Sequence, residues 1–156
     1  MHVALRPMTE TEFSSWLPSA RDGYADDMVR NAGADASAAR AKAERDTERL
    51  FPGGKPSADQ LVFVIEADGA PVGELWLSER AGDFRPVLWV YDVHIAEEHR
   101  GRGFGRAAME FAEHEARRRG LTHVALNVFG GNEPARNLYR SLGYTENAIS
   151  MNKAVS

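Results

Sequence analysis

From His94 to Arg106 the chain reads His-Ile-Ala-Glu-Glu-His-Arg-Gly-Arg-Gly-Phe-Gly-Arg, an arginine-bearing, glycine-spaced loop between a strand-like apolar run and a helix-like one. Glycines let the backbone come close to a ligand, and the first turn of the following helix leaves N–H donors without intrahelical partners. With the positive end of the helix dipole added, the chemistry supported is anion binding, phosphate above all. Spacing then separates the kinds of phosphate. A triphosphate-binding P-loop needs Gly-Lys followed by Ser or Thr, and nothing of that kind follows Gly105. A dinucleotide fingerprint threaded through Gly103, Gly105 and Ala108 calls for an acid about 20 residues on, where Leu126-Asn127 stands instead.

Other chemistries lack their residues. With no cysteine in the chain, disulfides, thiolate nucleophiles and zinc–cysteine sites are excluded. His2, His94, His99, His114 and His123 show no His-x-x-x-His spacing, so no metal is expected, and no Gly-x-Ser-x-Gly elbow marks a serine hydrolase.

Two blocks in order narrow the anion further. Arg100-x-x-Gly103-x-Gly105, after Val93-His94-Ile95, resembles the pyrophosphate loop of the GNAT superfamily of acyl-CoA-dependent N-acetyltransferases. Asn132-x-x-Ala135-x-x-Leu138-Tyr139-x-x-Leu142-Gly143-Tyr144 is similar to that superfamily's second block, at the expected distance. The resemblance is specific from about residue 61 to 153 and loose over the first 60. It implies an α/β (α+β) fold with a mixed, splayed central sheet, helices on both faces, and acetyl-CoA between strands 87–95 and 122–129.

The resemblance also implies roles. The CoA pyrophosphate would rest on backbone N–H groups of Arg100, Gly101, Arg102, Gly103, Phe104 and Gly105, with Arg106 nearby; a bare strand-to-helix turn is the rival reading. Backbone groups of Val93 and Ile95, flanking His94, would pair with the pantetheine arm as a peptide adds to a strand edge, and the N–H near Val93 would stabilise an oxyanion. Asn127 and Asn132 would reach the cofactor, although Asn132 before Glu133-Pro134 also reads as an N-cap. Tyr139 would protonate the departing thiolate as a phenol with an ordinary pKa near 10, against the rival of a tyrosine packing its helix.

An acceptor amine must lose a proton, which costs a lysine-like amine about 4.6 kcal/mol at pH 7. Asp92, His94 and Glu74 are the candidate bases, directly or through a water. Asp92 and His94 share strand parity with Leu88 and Val90 and would make a polar end to that face; a solvated strand end is the plain alternative. His94 departs from the acid or apolar residue more usual there. Asp22, Asp26, Asp27 and Asp35 could attract a cationic amine, or could form a solvated helix face. The expected activity is acetyl transfer from acetyl-CoA to a primary amine by direct attack in a ternary complex. A non-catalytic CoA-binding sensor is the alternative.

The elements that must position these residues follow from periodicity. An edge strand at 3–8 leads through a Thr9/Glu12 capping box into a helix, whose stripe of Phe13, Trp16, Leu17, Tyr24, Met28 and Val29 breaks at Pro18. A second helix, 35–51, ends at Pro52-Gly-Gly-Lys-Pro56. Strands 61–66 and 71–77 flank an Ala67-Asp-Gly-Ala70 turn, and a loop at 78–85 precedes strand 87–95. Helix 103–119 turns Phe104, Ala108, Phe111 and Ala112 inward; strand 122–129, helix 133–142 and a last strand at 148–153 complete the chain. At 156 residues the length suits one domain, 1–156.

The formal net charge of −4 argues against nucleic acid as a partner. Arg117-Arg118-Arg119 before Gly120 reads as cations at a helix C-terminus. The longest apolar runs are strand-sized, so no membrane segment is expected, and the chain reads as soluble, unexported and cytoplasmic. The resemblance adds that such proteins often form homodimers.

Overall fold

The computed structural model describes residues 1–156. Five strands form one sheet in the order β1 (Val3–Pro7), β2 (Leu61–Ala67), β3 (Ala70–Arg80), β4 (Val87–Ile95) and β5 (Val124–Leu126). The first four pair antiparallel and β5 runs parallel to β4. Helices α1 (Glu10–Ala32) and α2 (Ala36–Leu50) lie over one face, where Phe13, Trp16 and Leu17 meet Phe51 and the sheet residues Val62 and Trp76. Helix α3 (Phe104–Arg118) covers the other, packing Phe104, Ala108, Met109 and Ala112 against Ile65, Leu75, Leu77, Leu88 and Val90. Helix α4 (Glu133–Ser141) sits beside α3, its Leu138 near Gly105.

Local chemistry accounts for most boundaries. Thr9 and Glu12 form the reciprocal capping box that opens α1, Asp35 accepts the Ala38 N–H to open α2, and Asp68-Gly69, both with positive φ, makes the two-residue turn between β2 and β3. The expected break at Pro18 does not occur, and α1 runs on for 23 residues. Pro18 removes one backbone hydrogen bond, but it and Ser14 are exposed, so water can satisfy the freed Ser14 carbonyl.

One irregularity shapes the functional end of the sheet. Trp76 pairs with Asp92 but Leu77 with Val90, so Tyr91 is an extra residue on β4, a β-bulge. Two expectations change with it. Side-chain parity reverses across the bulge: Leu88 and Val90 face α3, while Asp92 and His94 join Glu74 and Trp76 on the α1 face instead of sharing a face with Leu88 and Val90. The parallel pairing also stops at Val90/Leu126, because the bulge interrupts the alternation of β4 groups that β5 needs. Strand β5 is therefore three residues rather than 122–129, and the two strands part beyond it.

The strand expected at 148–153 does not form. No backbone hydrogen bond is made beyond Tyr144, and a strand without a partner edge is not stable in water. Ile149, Met151 and Val155 stand 72%, 88% and 87% exposed.

Candidate active site

The anion loop opens α3 without any side-chain cap. Gly101 (φ 76°) and Gly103 (φ 86°) are left-handed, a conformation that costs other residues about 1–2 kcal/mol. Gly103 is the N-cap and offers no side-chain acceptor. The first amide to find a backbone acceptor is that of Ala107, which donates to Gly103 O at 3.0 Å. Six consecutive N–H groups, Gly101 to Arg106, thus donate to nothing in the protein. A Cβ at 101 or 103 would enter open space, whereas one at 105 would lie 3.4 Å from Leu138 Cδ2. These amides form a cradle suited to a pyrophosphate.

The arginines around the cradle divide. Arg102 is exposed and unpaired. Arg100 folds back so that its Nε donates to Ile95 O at 2.9 Å, and Arg106 Nη2 donates to Ser141 Oγ at 2.6 Å, tying α3 to α4.

From the cradle the open edge of β4 runs back to the bulge. Ala96 N–H donates to Val72 O, so by strand alternation the N–H groups of Val93 and Ile95 face the gap left by β5. The Ile95 carbonyl is already used by Arg100, which removes half of its expected pairing capacity. Asn127 lies just past the end of β5, exposed, and not in mid-strand as expected. Asn132 caps α4, its side-chain oxygen accepting the Ala135 N–H at 3.3 Å.

At the bulge end the titratable residues gather. His94 Nδ1 lies 2.9 Å from Glu74 Oε2; facing a carboxylate, Nδ1 carries the proton and donates it. That bond is the main reason the His94 pKa is raised above its ordinary value. Asp92 makes no hydrogen bond or ion pair with another side chain. Desolvation pushes its pKa up to about 6, opposed by His94 and reinforced by Glu74 and Asp27; the Val93 main-chain N–H is the one donor at its carboxylate and acts to lower its pKa. Tyr139 reaches the same place from α4. Burial, with the charges of Asp92 and Asp27, pushes its phenol up to about 12, not the ordinary value expected from sequence. Beneath this group Trp76 and Tyr91 stack with ring centroids 4.5 Å apart.

Asp27 is the residue that sequence reasoning did not single out from its neighbours. Asp22 and Asp26 are exposed and Asp35 is spent on capping α2. Asp27 is half-buried, and its charge helps to raise the pKa values of Asp92 and Tyr139. Its one available signal was Asn31, four residues on and hence on the same helix face.

The arrangement is an amide cradle for phosphate joined by an open strand edge to a desolvated carboxylate and a phenol. Known proteins with this architecture agree in kind. The sequence model of the Acetyltransferase (GNAT) family matches residues 24–144. The uncharacterised N-acetyltransferase YdgE of Bacillus subtilis is 29% identical over 154 residues, 98% of each chain. The crystal structure of YycN of Bacillus subtilis, an uncharacterised N-acetyltransferase, superposes with a TM-score of 0.87 at 26% identity, covering 99% of both chains. AAC(6')-Iy, solved in complex with the bisubstrate analogue CoA-S-monomethyl-acetylneamine, shares the fold with a TM-score of 0.62 at 18% identity, over 99% of this chain and 100% of that one. The chain belongs to the GNAT family of acetyltransferases, an acyltransferase whose family's donor is acetyl-CoA.

Proposed function

We propose that residues 1–156 act as one domain that transfers acetyl from acetyl-CoA to a primary amine by direct attack in a ternary complex. The observation that carries this reading is the joining, along one opened strand edge, of six free amides at one end to Asp92 and Tyr139 at the other. Amides Gly101 to Arg106 and the Arg102 guanidinium would hold the pyrophosphate, and the N–H groups of Val93 and Ile95 the pantetheine arm. The bound donor supplies an activated thioester; the proton steps fall to the protein.

Among the candidate bases, Asp92 is favoured. His94 is engaged by Glu74, and that hydrogen bond raises its pKa by favouring the protonated imidazole. Asp92 at about 6 is ionised at pH 7 and more basic than an ordinary aspartate, which suits it to take the amine's proton directly or through a water. Glu74 and His94 then act as a fixed pair beside it. The Val93 N–H, facing the gap, would donate to the developing oxyanion. Tyr139 at about 12 is a weaker acid than a thiol near 8.5, so while Asp92 is ionised it offers sulfur a hydrogen bond rather than a proton. Protonation of Asp92 removes one of the two charges that hold Tyr139 high. Proton uptake from the amine therefore eases proton delivery to sulfur.

The test is thiol release from acetyl-CoA against a panel of amines and peptides, run beside calorimetric CoA binding. Acceptor-dependent thiol release is the expected result. Saturable CoA binding with no release for any acceptor would instead favour the sensor alternative.

A further inference from the structure

Two features of the fold lack partners, and each has what the other needs. The first is the outer edge of β5. Leu88 N–H donates to His123 O at 3.0 Å and Leu88 pairs with Val124, so by alternation His123 and Ala125 turn their main-chain groups to β4. Val124 and Leu126 turn theirs outward, at the end of the strand order, where no neighbouring strand lies. Sheet edges are blunted by charge or proline in many proteins. The opposite edge, β1, carries Arg6 and Pro7, whereas Val124-Ala125-Leu126 carries neither. Arg85 Nη1 lies 2.7 Å from His123 Nε2, which brings the loop bearing the exposed Phe84 to the start of β5.

The second feature is the segment 147–156, all of it exposed. Ile149, Met151 and Val155 alternate with Ser150, Asn152 and Ala154, interrupted only by Lys153, the pattern of a strand with one apolar face. With Phe84, these three make four of the six exposed large hydrophobics of the chain: the other two are Met1 and Val29. In its own chain the segment does not reach the β5 edge. Gly143 (φ 92°) turns the chain after α4, and the Glu146 carboxylate accepts from Arg136 Nη2 and Arg140 Nη2 of that helix, both at 2.9 Å. Beyond Glu146 no backbone hydrogen bond ties the chain to the sheet, and residues 147–156, extended, reach about 33 Å.

We propose that the partner of each feature is a second copy of this chain. Residues 148–155 of one copy add as a strand to the outer edge of β5 in the other, and a twofold axis makes the exchange reciprocal. Val124 and Leu126 then gain main-chain hydrogen bonds, and Ile149, Met151 and Val155 leave water against β5 and the Phe84 loop of the other copy. Strand and edge are present in equal number in every chain, so a closed pair satisfies both and leaves neither exposed.

The experiment measures mass by sedimentation equilibrium for the full chain, for a chain lacking residues 148–156, and for Leu126→Pro. The full chain is expected at twice the chain mass. The deletion removes no ion pair or backbone hydrogen bond of the fold, and should raise the dimer's dissociation constant at least about 100-fold with an unchanged circular dichroism spectrum. Leu126→Pro removes one outward N–H, leaves the bonds of Ala125 to β4, and should do the same. If Leu126→Pro misfolds, amide exchange decides: the Val124 and Leu126 N–H groups should be protected in the full chain and exchange freely once the tail is deleted. A monomeric full chain, with or without protected tail amides, overturns the inference. So does a dimer that survives the deletion or a folded Leu126→Pro, or protection at Val124 and Leu126 that the deletion leaves unchanged.

Discussion

At the scale of single residues the site places function against stability. Asp92 has an ordinary value near 3.8 when unfolded and about 6 when folded. A carboxyl raised on folding binds its proton more tightly in the native state. Its ionisation therefore weakens the fold progressively from about pH 4 to pH 6, by on the order of 3 kcal/mol above that range. Asp92→Asn is expected to melt higher than the parent at pH 8 by several degrees, with the difference closing near pH 4; equal melting temperatures at pH 8 would contradict the desolvation account. The same variant should lose about 100-fold or more in kcat. It should also lose the rise in kcat/KM that the parent shows through about pH 6 as Asp92 ionises. Tyr139→Phe keeps the ring against Tyr144, centroids 5.9 Å apart, and removes only the hydroxyl. Turnover should fall about 10- to 100-fold with the acetyl-CoA KM little changed, and a parental kcat would return Tyr139 to a packing role. Tyr139, Asp92, His94 and Glu74 were legible because a motif or a strand end points to them. Asp27 was not, because four aspartates on two helices look alike until Phe13, Trp16, Leu17 and Met28 set which face of α1 is buried.

Secondary-structure elements were legible where local signals close on themselves, and less so where they depend on a neighbour. The capping box of α1, the Asp-Gly turn and strand β4 all follow from short-range chemistry. The Tyr91 bulge left no mark in the sequence, since Leu88, Val90, Asp92 and His94 read as plain alternation; only the register against β3 reveals that one residue is extra. That one residue reverses the faces of Asp92 and His94 and ends β5, so the strand-parity and strand-length expectations failed together. The cradle, by contrast, depends on glycines that the sequence displays. Gly103→Val forces a β-branched side chain into φ 86°, which costs about 1–2 kcal/mol or more, although space around the Cβ is open. The protein should stay folded by circular dichroism while CoA binding weakens at least about 10-fold, and unaltered affinity in calorimetry would argue against the loop as the phosphate seat.

The whole molecule carries a formal net charge of −4, yet its two ends of function have opposite signs. On the proposed reading, six free amides and the unpaired Arg102 would form a positive seat for an anionic donor, while Asp27, Asp92 and Glu74, offset only by His94, would form a negative one for a cationic acceptor. The opened edge of β4 lies between them. Charges separated by more than the Debye length, about 10 Å at 0.1 M salt, are largely screened, and electrostatic steering weakens steeply as salt rises. Raising ionic strength from about 0.02 to 0.5 M should therefore lower kcat/KM for both substrates, each through its own end of the molecule. Asp27→Asn is expected to flatten the salt dependence for a cationic amine acceptor while leaving that for acetyl-CoA, and Arg102→Ala to do the reverse. Variants that change both salt slopes together would show that one overall field, and not two local ones, draws the substrates in.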